Sequence, residues 1–165
     1  GRNGSAYAGP EMIDPDRPKI VASARSWIGT PYHDQASVKG AGVDCLGLAR
    51  GVWREVIGKE PTAIPPYSRD WGETRPTEVL AAGAAQWLVP IPVAEALGGS
   101  VILFRMVRGA IAKHVGILTW EGTFVHAFEG IGVVEEPLTK AWRRRIAFAF
   151  DFPATAGAAE AEGEV

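Results

Sequence analysis

"AGVDCLGLAR", residues 41–50, decides how the rest of this 165-residue chain is read. It places the single cysteine, Cys45, directly after an aspartate and at the start of an apolar pattern. Leu46, Ala49, Val52, Trp53, Val56 and Ile57 recur at helical spacing, and Gly58 closes the run. Asp44 is a natural N-cap residue, so the thiol falls in the first turn of the helix. There the unsatisfied backbone N–H groups and the positive end of the helix dipole favour thiolate over thiol. The ordinary fate of a lone cysteine is burial as a small apolar side chain. Nucleophilic chemistry needs a base as well, commonly a histidine oriented by a third polar group.

Before this stretch, "DRPKIVASARSWIG" (residues 16–29) predicts a first helix with Pro18 in its first turn and Gly29 at its end. Ile20, Val21, Ala24, Trp27 and Ile28 share one of its faces. After it come a Pro-rich loop at 61–66, a third helix in "TEVLAAGAAQWL" (77–88) and a short fourth in "VAEALGG" (93–99). From Ser100 the chain changes character. "VILFR", "HVGILT", "TFVHAF", "GVVEE" and "RIAFAFDF" are short, rich in branched or aromatic residues and bounded by Gly or Pro. Helices first and strands afterwards predict an α+β domain with an antiparallel sheet. Residues 1–16 read as a Gly- and Pro-rich arm, 17–152 as the domain, and 153–165 as an acidic tail with nothing to bury.

Composition excludes several classes. With 47% hydrophobic and 22% charged residues the chain is globular, and its length suits one domain. A net charge of −2 argues against a nucleic-acid partner; the "RRR" at 143–145 reads as a solvated strand end. One cysteine allows no intrachain disulfide and leaves the redox compartment open. Three histidines and one cysteine show no close-set ligand pair such as CxxC or HExxH, so no metal is expected. There is no 18-residue apolar run to enter a membrane and no charged-then-apolar leader pattern. Action outside a cell would need another route.

Two histidines lie on adjacent predicted strands: His114 opens "HVGILT" and His126 lies inside "TFVHAF". A two-residue loop at 121–122 would set Ile117 opposite His126 and turn His114 to the other face. A three-residue loop at 120–122 lets Gly122 take the left-handed position and pairs His126 with Gly116. His114 then shares the face of His126, a diagonal step of about 7 to 8 Å away. The second register is the one expected, and it gives Cys45 a possible base with a possible partner. His33 reads as an exposed loop histidine.

Taken in order, "GTPY", "GVDCLGLAR", "GGSVILF", "KHVGIL" and "FVHAF" resemble the NlpC/P60 family of cysteine peptidases, and in particular its phage-tail branch. The resemblance covers roughly residues 18–150. It implies a papain-like α+β fold with Cys45 as nucleophile, His114 as general base and acid, and His126 as the residue that orients His114. It implies peptidoglycan stem peptides as substrate, most often cut between D-γ-glutamyl and meso-diaminopimelate, with no cofactor. Tyr32 matches the family tyrosine that shapes the substrate pocket, and Asp44 the aspartate that meets the amine end of the stem peptide. Leu46 replaces a frequent serine, and Gly99-Ser100 replaces the usual "GD", removing a carboxylate. The implied setting is a particle tail with tail-tip or hub partners, acting at the host periplasm and cell wall. A structural docking module with an inert peptidase fold, and a cell wall amidase on the same fold, are the alternatives.

Overall fold

The computed structural model describes residues 14–61 and 78–154. The expected arm up to residue 13, the Pro-rich loop beyond residue 61 and the acidic tail from 155 lie outside the described residues. The elements run α1 (Arg17–Ser26), β1 (Ser37–Val38), β2 (Gly42–Val43), α2 (Cys45–Val52), α3 (Val79–Ala84), β3 (Val89–Ile91), β4 (Val101–Phe104), β5 (His114–Leu118), β6 (Thr123–Phe128), β7 (Gly132–Pro137), α4 (Lys140–Arg143) and β8 (Ile146–Asp151). The architecture is α+β, with a six-stranded antiparallel sheet in the order β3-β8-β4-β5-β6-β7.

Strand alternation divides the apolar residues between two layers. Val101, Leu103, Val115, Ile117, Val125 and Ala127 point to one side, where Ile20 and Ala24 of α1, Trp27 at its C-cap, and Leu48, Ala49 and Val52 of α2 cover them. Ile102, Phe104 and Phe124 point to the other side and pack with Ala149, Leu138 and Trp142. A side chain such as Leu48 or Ile117, fully buried here, contributes about 1.5–3 kcal/mol. The central strand β4 is buried along its whole length because it has core on both faces.

The helix starts follow their caps. Asp16 accepts a hydrogen bond from Lys19 N–H at 3.2 Å, and Pro18 sits in the first turn of α1. Asp44 caps α2 by accepting from Gly47 N–H at 2.7 Å. Beyond Val52 the helix widens into a π-helical turn, Trp53–Ile57, and stops at Gly58.

Four local expectations are corrected. Ile28 lies one residue past the α1 C-cap and is 46% exposed, because the helix has ended before its face can be buried. The third helix covers only Val79–Ala84; its C-terminal part turns at 85–88 and then pairs Val89–Ile91 with β8, as tertiary pairing overrides the Ala-rich propensity. "VAEALGG" forms one 3₁₀ turn, Val93–Glu95. The arginines at 143–145 are exposed, as expected of a solvated run, but they close α4 instead of ending a strand.

Candidate active site

The nucleophile candidate is held by local structure. Besides capping α2, Asp44 accepts Gln35 N–H at 2.7 Å, which ties the 34–36 loop to the helix start. Ser37 donates its hydroxyl to Gly47 O at 2.6 Å. Gly47 is required here: a Cβ would stand 2.1 Å from Ala36 O. Tyr32 enters beside this start through a bridge to Val43 and lines the same cleft. Burial first, then the nearby Cys45 and Asp44, push the Tyr32 hydroxyl above its ordinary range, so it stays protonated.

The histidines are placed by strand register. Ile117 pairs with Val125 and Leu118 with Phe124, while Thr119 N–H meets Thr123 O at 3.0 Å, so residues 120–122 form the loop. Gly122 has φ +75°. Continuing that register sets His126 opposite Gly116, as the three-residue loop predicts. His114 Nε2 lies 2.7 Å from His126 Nδ1 across the diagonal, and both residues are buried.

Where the ladder would continue toward Ala127, the strand pair has opened. Among the described residues β5 and β6 register only at the two pairs near the hairpin tip. The N-terminus of α2 fills the gap: Cys45 Sγ donates to Lys113 O at 3.7 Å, and the Val115 N–H faces the sulfur. Cys45 and His114 therefore line one cleft of about 240 Å³, with Tyr32 and Asp34 at one wall, Met106 and Ile111 at another, and Phe128 and Glu129 at a third.

Electrostatics favours a neutral resting pair. Burial, reinforced by the Asp44 charge, pushes the Cys45 thiol up to about 12, although backbone N–H groups of Val115, Leu46 and Cys45 pull the other way. Cys45 as a residue is partly exposed, but its sulfur is the enclosed part. Burial, and then the neighbouring His126, hold the His114 imidazole down to about 3. Burial in the cleft thus favours thiol–imidazole over thiolate–imidazolium. The helix-start position alone suggested the second; desolvation outweighs it.

The structure brings Cys45, His114, Tyr32 and Asp44 to one cleft and joins His126 to it through His114. Asp44 is 2% exposed, and each carboxylate oxygen already accepts a backbone N–H. Its observed work is to cap and clamp. The carboxylates with exposed residues at the cleft are Asp34 and Glu129. His33 is exposed on its loop. Sequence reasoning missed Glu136, whose Oε2 lies 2.6 Å from His126 Nε2. The pairing Phe124↔Glu136 puts it on the His126 face, a signal available only once the β6–β7 register is known. The carboxylate missing at Ser100 is supplied from β8: Asp151 accepts the Ser100 hydroxyl at 2.6 Å and pairs with Arg17 at 2.7 Å.

Known proteins resemble this chain in sequence and in fold. The chain is 26% identical over 128 residues to the murein DD-endopeptidase MepS/murein LD-carboxypeptidase of Escherichia coli K12, covering 77% of this chain and 58% of that protein. It thus spans a little over half the length of the curated relative. Among solved structures, the NlpC/p60 domain of the peptidoglycan hydrolase SagA superposes with a TM-score of 0.57 at 24% identity, over 83% of this chain and 99% of that one. The peptidoglycan hydrolase RipB of Mycobacterium tuberculosis gives a TM-score of 0.51 at 22% identity, over 90% and 73%. At these identities the two structures speak for the fold. Residues 29–150, which hold the capped cysteine, both buried histidines and most of the sheet, match the NlpC/P60 family, and the chain belongs to that family of cysteine peptidases.

Proposed function

We propose that the chain hydrolyses amide bonds in peptidoglycan stem peptides, with the D-γ-glutamyl–meso-diaminopimelate bond as the target, by a thiol mechanism centred on Cys45. The observation that carries this reading is the seat of Cys45 Sγ in the opening between β5 and β6, in one cleft with His114, whose ring is joined to the buried His126. The E. coli relative named for murein endopeptidase activity supports the substrate class. His114 takes the thiol proton as Cys45 attacks the carbonyl carbon, and the N–H groups at the start of α2 face the oxyanion that forms. The C–N bond then breaks as His114 gives its proton to the leaving amine. Water, deprotonated by His114, resolves the thioester. Tyr32 shapes the pocket, and Asp44 holds the helix start beneath the substrate's amine end.

The setting we propose is a particle tail, with tail-tip proteins as partners and the host periplasm and cell wall as the place of action; it rests on the sequence resemblance to phage-tail members. The test is release of soluble stem peptides from purified peptidoglycan by the wild type and by Cys45→Ala, with products identified by mass. Release by the wild type alone supports the hydrolase, and the new termini name the bond. Cleavage between glycan and peptide would make it an amidase. No release by either protein would overturn the reading in favour of a docking module.

A further inference from the structure

Glu136 is a carboxylate aimed at a fully buried histidine. β7 carries two adjacent glutamates, and strand alternation sends them to opposite faces. Glu135 accepts from the Arg25 guanidinium at 3.0 Å and from the Thr123 hydroxyl at 2.6 Å. Glu136 turns to the other face, and its Oε2 lies 2.6 Å from His126 Nε2. Among the described residues no lysine or arginine pairs with it. His126 is 0% exposed, and the rings of Phe124, Phe128 and Trp142 lie 4.4, 5.3 and 5.3 Å from its own.

The chemistry of the donors fixes the protons. A carboxylate only accepts, so His126 Nε2 carries the hydrogen; a neutral imidazole has one, so His126 Nδ1 accepts. His114 Nε2 must then donate across the 2.7 Å contact, which leaves the lone pair on His114 Nδ1. We infer that Glu136 is a positioning residue for the catalytic base: it fixes the tautomer of both imidazoles and supplies the counter-charge when His114 takes the Cys45 proton. This rests on the hydrolase reading above.

The charge balance shows what it does. Before the reaction the series Glu136–His126–His114 carries −1, and after His114 Nδ1 receives the thiol proton it carries 0. Moving the Nε2 proton of His114 onto His126 Nδ1 leaves that sum unchanged and brings the positive charge next to the carboxylate. Without Glu136 the same step would create a net +1 inside an aromatic, water-poor layer, where an unpaired charge is costly. When His114 protonates the leaving amine, the series returns to −1. Among the described residues the charged or titratable groups around the pair are Glu136 from β7, then Cys45, Asp44, Tyr32, Asp34, Lys113 and Glu129, which line the cleft with His114, and, beyond the Trp142 ring and 5.5 Å from it, the Arg145 guanidinium.

The test uses two variants and two readouts. Glu136→Gln keeps an acceptor for His126 and removes the charge; Glu136→Ala removes both. In the Cys45→Ala protein, which needs no activity, imidazole nitrogen NMR across pH should show both rings protonated at Nε2. Either substitution should move the His126 midpoint to lower pH, because the imidazolium loses its counter-charge, and Glu136→Ala should also release the fixed tautomers. In the active protein, Glu136→Gln should lower kcat/KM about 10- to 100-fold, through kcat more than KM, and shift the acid limb to lower pH. Unchanged tautomers and midpoints, or an unchanged rate and acid limb, overturn the inference. If the wild type releases no peptide, the hydrolase reading fails by itself and the NMR result still decides the part played by Glu136.

Discussion

The two sides of the cleft are built by different kinds of order. On the cysteine side everything of consequence lies within about fifteen residues: Asp44 caps the helix, Gln35 N–H locks onto the same carboxylate, and Gly47 lets Ala36 O approach. On the histidine side the parts come from three strands, and a shift of one residue in either pairing would send His114, His126 or Glu136 to opposite faces. The first side is set by short-range hydrogen bonding around a helix start. The second is set by the non-local registry of a sheet. A nucleophile on a locally specified turn thus meets a base whose position depends on the whole layer.

The sharpest test of that division is chemical. Cys45→Ala should leave the fold intact and remove stem-peptide release by a factor on the order of 10⁴ or more. An active Cys45→Ala protein would remove the cysteine side from the mechanism altogether. Gly47→Ala probes how tightly the short-range side is closed. Its Cβ would meet Ala36 O at 2.1 Å, so a loss of about 3 kcal/mol, seen as a fall of roughly 6–12 °C in Tm, is expected. An unchanged Tm would mean that the 34–36 loop is not seated on the helix in solution.

The histidine side should answer to pH. Burial lowers both imidazoles below the ordinary value of 6.5, His114 to about 3. The unfolded chain therefore binds more protons than the folded one as pH falls below 6.5, and stability drops with it. The contribution is whole above 6.5 and lost progressively toward pH 3. Urea unfolding at pH 8 and pH 5 should show the loss, and His126→Gln should show a smaller difference between the two. Equal differences would mean that His126 is charged or exposed in the fold.

The smallest effect belongs to Asp44. Asn caps a helix about as well as Asp, but its NH2 would face the Gln35 N–H that Asp44 Oδ2 now accepts, so Asp44→Asn should cost about 1–3 kcal/mol, and Asp44→Ala, which loses both acceptors, at least as much. Because the Asp44 charge helps to raise the thiol, its removal in Asp44→Asn should lower that value and quicken alkylation by iodoacetamide at neutral pH, by up to about tenfold. No change in the alkylation rate would show that desolvation alone governs the thiol.

Sequence and structure divide along the same line as the two sides of the cleft. The chain by itself determined the α+β class, the helix start at Cys45, five of the strands, and the hairpin register that places His114 beside His126, because each is set by neighbouring residues: a cap, an alternation, a glycine in a three-residue loop. Tertiary structure decided the rest. It shortened the Ala-rich third helix in favour of a strand against β8, chose Glu136 over Glu135, opened the β5–β6 ladder around the sulfur, and made the resting thiol and imidazole neutral. Those outcomes depend on which surfaces meet and how much water they exclude, and no single segment carries that information.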